Sequence, residues 1–331
     1  MFKQIPYLLF CCVLFACAKE APTPETEAGG FVVPQGFPSM GFPENNPYSE
    51  ASVELGRRLF HDVRLSDDNE LSCASCHQSQ FAFATQDVMN LGSGATAGTR
   101  NSPTLGNIGY HPYFTREGAV PTLEMQILVP IQEHNEFNSN IILIVEELES
   151  DDDYQGLSQE AYGQAFSPFV LTRAIANFER TLISGDSKYD RFINGSSSAF
   201  NEDEVAGFAL FSSDALQCAS CHSGFNFSNY EIVNNGLYAN YPDPGLARLT
   251  GLESDSGKFK VASLRNIALT PPYMHDGTMT SLEEVIGHYA SGGAGHQQQD
   301  GRIQGFELSA LEAEQLVVFL QTLTDYTFSQ D

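Results

Sequence analysis

The sequence predicts an all-α fold of two small domains with long irregular loops, and three observations carry that expectation. Apolar residues recur at helical spacing behind capping pairs, strand signals are sparse, and one run, Cys-Ala-Ser-Cys-His, stands at residues 73–77 and again at 218–222. A chain of 331 residues, 42% of them hydrophobic, can bury a core in each of two domains.

Along the chain, Lys3 is followed by a short apolar run over residues 7–15 and by Leu14-Phe15-Ala16-Cys17, which has the form of a lipobox. The run is too short to span a membrane, so residues 1–16 read as a secretory signal. Resemblance to bacterial lipoproteins implies cleavage before Cys17 and acylation of its thiol, anchoring the chain on the periplasmic side of a bacterial membrane. An ordinary signal peptide with an incidental cysteine is the alternative. Residues 17–48 are rich in Pro, Gly, Glu and Thr and read as a flexible tether reaching on the order of 30 Å.

The first domain is expected over 49–195, with a helix through Phe169, Ala174, Ile175 and Phe178 running toward Leu182. A Gly, Ser and Asp-rich stretch over 184–198 marks the boundary, and residues 196–331 form the second domain. There Asn201 with Glu204 caps a helix whose Val205, Phe208 and Phe211 lead into the second Cys-Ala-Ser-Cys-His run. Ser281 with Glu284 caps another, placing Leu282, Val285, Ile286 and Tyr289 on one face. Ser309 with Glu312 caps the last, its stripe made by Leu308, Leu311, Leu316, Phe319, Leu320 and Leu323.

Cys-x-x-Cys-His is the attachment signature of a c-type haem: two thiols add to the vinyl groups and the histidine becomes the proximal iron ligand. Cys73, Cys76 and His77 would hold one haem c, and Cys218, Cys221 and His222 a second, giving two cytochrome c-like domains. Each helical domain would draw part of its core from the porphyrin, which lets long loops survive. The alternatives are one zinc shared by two cysteine pairs, or redox dithiols. Zinc does not explain the histidine after each pair, and the tryptophan or proline context of thioredoxin-like motifs is missing.

Lys and Arg number 16 against 42 Asp and Glu, a formal net charge of -26. Phosphate repulsion argues against nucleic acid. A small basic protein would be steered toward such a surface, although the charge also serves solubility alone.

Beyond the two haem motifs stand Arg100-Asn-Ser-Pro-Thr-Leu, Leu123-Glu-Met-Gln, Arg180-Thr-Leu-Ile-Ser-Gly-Asp-Ser-Lys-Tyr-Asp-Arg, and Lys258-Phe-Lys-Val-Ala-Ser-Leu-Arg-Asn-Ile-Ala-Leu-Thr-Pro-Pro-Tyr-Met-His-Asp-Gly. With these the chain resembles the dihaem cytochrome c peroxidase family, and more closely its MauG-like branch, from about residue 49 to 328. The resemblance implies a peroxidase that reduces hydrogen peroxide at the N-terminal haem with electrons from a small cytochrome c or similar donor, relayed by the C-terminal haem. Glu124 matches the family's acid–base glutamate, although an acidic residue after Thr122, in the first turn of a short helix ended by Pro130, also suits the helix dipole.

Tyr289 stands where the MauG-like branch has a tyrosine ligating the second iron and other members have methionine. A phenolate ligand would lower that haem's potential. A core tyrosine, with Met274, Met279, His275 or His288 as the ligand, is the alternative. Residues 78–99 contain no histidine to block the first iron, so an open five-coordinate site is expected. Asn101, with the carbonyls of Thr270 and Pro272, matches the family's calcium ligands, and dimers occur in the family, leaving a homodimer open.

Several departures stand beside these matches. The chain has no tryptophan, Phe114 replaces an active-site glutamine, and Arg116 and Ala119 break the usual Trp-Asp-Gly-Arg stretch. An electron route through Tyr110, Tyr113 or another path stays open. Oxidative modification of a protein or small molecule, and an electron-transfer lipoprotein without turnover, are the competing functions.

Overall fold

The chain is described from a computed structural model covering residues 25–26 and 28–328. Cys17 and the signal segment lie outside the described residues. The fold is mostly helical, and its strands among the described residues are four two-residue pieces, Glu25–Thr26 with Val32–Val33 and Ile232–Val233 with Phe259–Lys260.

Two separate apolar clusters organise the helices. The first joins Leu55, Leu59 and Phe60 of α1 (Glu50–Phe60) to Val170, Leu171, Ala174, Ile175 and Phe178 of α2 (Pro168–Arg180), with Cys73 and Ala74 packed against them. The second joins Phe211 of α3 (Glu202–Phe211), Leu282 and Ile286 of α4 (Leu282–Ala290), and Leu316, Phe319 and Leu320 of α5 (Ala310–Gln321), with Cys218 and Ala219 against them. The capping boxes expected at Asn201, Ser281 and Ser309 all form, each closed by the glutamate three residues on.

In both clusters the helix pair crosses at a glycine. A Cβ built on Gly56 would lie 1.9 Å from the carbonyl oxygen of Ala174, and one on Gly207 would lie 1.9 Å from that of Gln315. Only a bare Cα lets the backbones come so close. A second repeated unit follows each motif. Asn107 and Asn266, both left-handed, open the turns Ile108–Tyr110 and Ile267–Leu269. The bridges Phe114↔Val120 and Tyr273↔Met279 come next, and then Thr122 and Ser281 cap the helices that follow. The chain thus folds the same loop twice.

A buried bidentate pair fastens the segment between the clusters to the second half: Arg265 Nη1 and Nη2 each donate over 2.8 Å to Asp190, while Arg265 Nε donates to the Phe225 carbonyl. This pair accounts for two of the sequence motifs at once. Tyr189 and Phe192 already pack on the second cluster, and the Tyr189 amide bonds the Thr322 carbonyl, so the passage between clusters precedes position 195.

Two local expectations are corrected. The tether does not extend to residue 48, because Phe31, Val33 and Met40 are buried with Phe37, Phe42, Tyr48, Tyr110 and Ile183 in a third small cluster. Its aromatic residues, scattered without a period, still bury enough area to fold an irregular strap onto the body. Pro130 does not end a helix either. It sits within Leu128–Gln132, in the opening turn, where a missing N–H costs nothing.

The crossings predict that Gly56→Ala and Gly207→Ala each lower stability by about 1–3 kcal/mol or more, read as a fall in Tm of the haem-loaded protein. Gly156→Ala, where an added Cβ meets nothing within 4 Å, should be neutral or stabilising. Equal Tm values for all three would refute the close crossings.

Candidate functional site

Each Cys-Ala-Ser-Cys run forms one helical turn, Cys73–Cys76 and Cys218–Cys221, which sets its two sulfurs on the same face three residues apart. The histidine that follows leaves the helix as its cap, with the His77 amide bonding the Cys73 carbonyl and the His222 amide that of Cys218, both over 2.9 Å. His77 Nδ1 lies 3.0 Å from the carbonyl oxygen of Phe83, and His222 Nδ1 lies 3.1 Å from that of Phe227. A carbonyl can only accept, so Nδ1 carries the proton and the Nε2 lone pair is left for a metal. Burial holds both imidazoles neutral by lowering their pKa, against the opposing pull of these carbonyls.

All four thiols are free, and burial raises their pKa values, to about 11 for Cys76 and about 11 for Cys218. Such pockets resist thiolates and accept neutral thioethers, which suits covalent haem and not zinc. The cysteine pairs lie against different clusters, and among the described residues no group of three or more His, Cys, Asp or Glu is placed to hold a metal ion. The donor sets therefore fit two haem groups, one at each histidine.

Glu124 sits in the one-turn helix Leu123–Gln126, capped by Thr122, whose hydroxyl accepts from the Met125 amide. It is clamped by groups distant in sequence. Arg180 Nη1 donates to Oε1 over 2.7 Å and Arg180 Nη2 to Oε2 over 3.1 Å, while Asn46 Nδ2 donates to Oε1 over 2.7 Å. Burial alone would raise its pKa, but Arg180 and then Asn46 outweigh it and hold the carboxyl below the ordinary range. Glu124 also lines an open cavity of about 400 Å³ with Pro43, Thr122, Met125, Ile141 and Phe169, a lining that includes neither His77 nor its two cysteines. In the repeated unit Glu283 occupies the equivalent first-turn place and is exposed. The helix dipole is common to both, and the clamp belongs to Glu124. Sequence reasoning missed Arg180 and Asn46 as site residues: Arg180 opened a quoted motif without a role, and Asn46 carried no signal.

Tyr289 occupies the last turn of α4, and its hydroxyl pKa is pushed up to about 12, by burial first and then by the Cys221 and Cys218 sulfurs, with the Asn235 side chain opposing. It is therefore close to the second motif. Two alternatives are otherwise engaged: His288 Nε2 lies 3.0 Å from the Asn235 carbonyl, and the Met274 sulfur accepts from Asn235 Nδ2 over 3.4 Å. His275 is buried and stacked on Phe259 with ring centroids 4.1 Å apart. Phe114 is buried in the first cluster, and Tyr113 donates its hydroxyl to the Tyr230 carbonyl.

Of the oxygens expected to hold calcium, those of Asn101 are faced by a cation of the chain itself. The Asn101 amide bonds the His275 carbonyl over 3.0 Å, which brings Asn101 to the loop carrying Thr270 and Pro272. Its own carbonyl, however, accepts from Arg116 Nη2 over 2.5 Å, and its side-chain oxygen lies 3.5 Å from the same nitrogen. Burial and the neighbouring Arg100 pull the Arg116 pKa down to about 10, and burial with Arg116 pulls Lys260 down to about 8. Both shifts mark a place already crowded with positive charge, where a divalent cation would be repelled.

Residues 50–198 match the family model described as di-haem cytochrome c peroxidase. The chain is 35% identical over 289 residues to the methylamine utilization protein MauG of Methylorubrum extorquens, covering 86% of this chain and 81% of that one. It is 32% identical to the cytochrome c551 peroxidase of Nitrosomonas europaea, with 84% and 81% covered. Among solved structures, a MauG-like protein associated with microbial copper homeostasis superposes with a TM-score of 0.86 at 33% identity, covering 90% of this chain and 96% of that one. Matching sequence over most of each relative, a matching fold and two sites built for covalent haem place the chain in the di-haem cytochrome c peroxidase family.

Proposed function

We propose that the chain is a peroxidase that reduces hydrogen peroxide to water with electrons from a small, basic cytochrome c-like donor. His77 and His222 would hold the haem irons through Nε2, and Tyr289 would be the further ligand of the second. When bound, the haem groups supply the electrons and the site at which peroxide is reduced. The observation that carries this reading is the Glu124 carboxylate clamped by Arg180 and Asn46.

The clamp assigns work to each oxygen. Oε1 already accepts from both Asn46 and Arg180, whereas Oε2 accepts from Arg180 Nη2 alone. Oε2 is the oxygen with room for a proton. It would take that proton from one peroxide oxygen and return it to the other, which departs as water. Arg180 keeps the group ionised between turnovers and Asn46 fixes its plane. An electron carrier without turnover needs neither, so the clamp favours the enzyme.

A second reading draws support from Tyr289 beside the second motif and from likeness to MauG. A low-potential second haem would let oxidising equivalents be passed to a protein or small molecule at the surface. Lipid attachment through Cys17 on the periplasmic side, a homodimer and an open first iron belong to the same proposal.

In haem-loaded protein, Glu124→Gln should retain the visible spectrum and lose peroxide turnover by about 10²–10⁴-fold; turnover at the wild-type rate sinks the acid–base role. Because the Glu124 carboxyl sits below the ordinary range, wild-type activity should fall only as pH drops beneath that range. Arg180→Met leaves the carboxyl buried without its cation, so the acid limb should move to higher pH, and an unmoved limb refutes the clamp. Tyr289→Phe should alter the spectrum of one haem only, and an unaltered spectrum removes Tyr289 as a ligand.

A further inference from the structure

The junction between the halves is built around a cation supplied by the chain itself. Arg116 Nη2 donates to the Asn101 carbonyl over 2.5 Å and stands 3.5 Å from its side-chain oxygen. Asn101 in turn is tied by its amide to the His275 carbonyl over 3.0 Å and by its side-chain nitrogen to the Asp87 carbonyl over 2.9 Å. The Arg116 carbonyl accepts from the Lys260 amide over 2.7 Å, so the residue's backbone belongs to the edge of the strand Phe259–Lys260. The side chain therefore braces the Asn101 segment of the first half, and the backbones of Arg116 and Asn101 each bond the second half.

The carboxylates around it are engaged by other groups, and its Nε is buried without a hydrogen-bond partner. Glu117 is paired with Arg100 over 2.6 Å and with Arg248 over 2.9 Å, and Asp243 is paired with Arg100 over 2.6 Å. Asp276 accepts from the Tyr238 hydroxyl and from Thr278. Lys260 Nζ, a second cation, bonds the Tyr113 carbonyl over 2.9 Å and meets His111 Nδ1 at 3.2 Å. A divalent ion at Asn101 would have to displace or face Arg116 with Lys260 close behind, and its nearest carboxylates are committed elsewhere.

We propose that the Arg116 guanidinium takes the place of a calcium ion at Asn101, a built-in cation that fixes the Asn101 segment where its amide meets the second half, so that the protein needs no divalent metal there. The test uses haem-loaded protein. After chelation with EGTA and again after addition of calcium chloride, Tm and the visible spectrum should be unchanged, and calorimetric titration with calcium chloride should show only heats of dilution. Saturable calcium binding that shifts Tm or spectrum overturns the proposal. Arg116→Gln should lower Tm by about 5 °C or more, and a wild-type Tm for that variant also overturns it. Should Arg116→Gln yield no folded protein, Arg116→Lys decides: folding that is insensitive to EGTA supports the built-in cation, and folding that fails or demands calcium rejects it.

Discussion

The hydrogen bond from a histidine Nδ1 to one main-chain carbonyl is the constraint on which the rest of the molecule depends. It occurs twice, at His77 with Phe83 and at His222 with Phe227, and in each case the accepting residue lies in the left-handed region, at φ 57° and φ 49°. That conformation costs energy for a phenylalanine. It persists because the surrounding loop overdetermines it, and its effect is to aim a carbonyl at an imidazole that would otherwise rotate. The one-turn helices, the glycine crossings and the two apolar clusters all act to keep that pair of groups in register.

Where the two halves differ, the difference is electrostatic. The first half adds a buried guanidinium and an amide to the glutamate of its repeated loop, while the second leaves the equivalent glutamate in solvent. A duplicated scaffold has thus been given one site with a fixed carboxylate and another with a buried phenol. Because Arg180 is 7% and Glu124 12% exposed, their attraction is little screened and the geometry of the carboxylate is held firmly.

What could be read from the sequence was local. The boxes at Asn201, Ser281 and Ser309 were legible because each is closed within four residues, and Tyr289 fell on its face because helical spacing is regular. The Cys-x-x-Cys-His runs were legible because the chemistry requires consecutive residues. Asn46 on Glu124 was not, since it joins positions separated by 78 residues through a strap that has no period. The loop repeat stands in the sequence as Leu105-Gly-Asn-Ile and Leu264-Arg-Asn-Ile, too short a match to mark a repeat without the shared fold. Arg116 stands in the sequence only as a departure from the family pattern, and its contact with Asn101, 15 residues away, is set by the fold.

The last described residue, Phe328, is buried in the first cluster, its ring 5.4 Å from that of Phe83, whose carbonyl holds His77. The first cluster is therefore closed by a ring that follows the whole second half in sequence. Phe83 is held between Phe60, 6.2 Å away, and Phe328. Loosening the second half would thus also loosen the ring whose carbonyl aims the His77 imidazole.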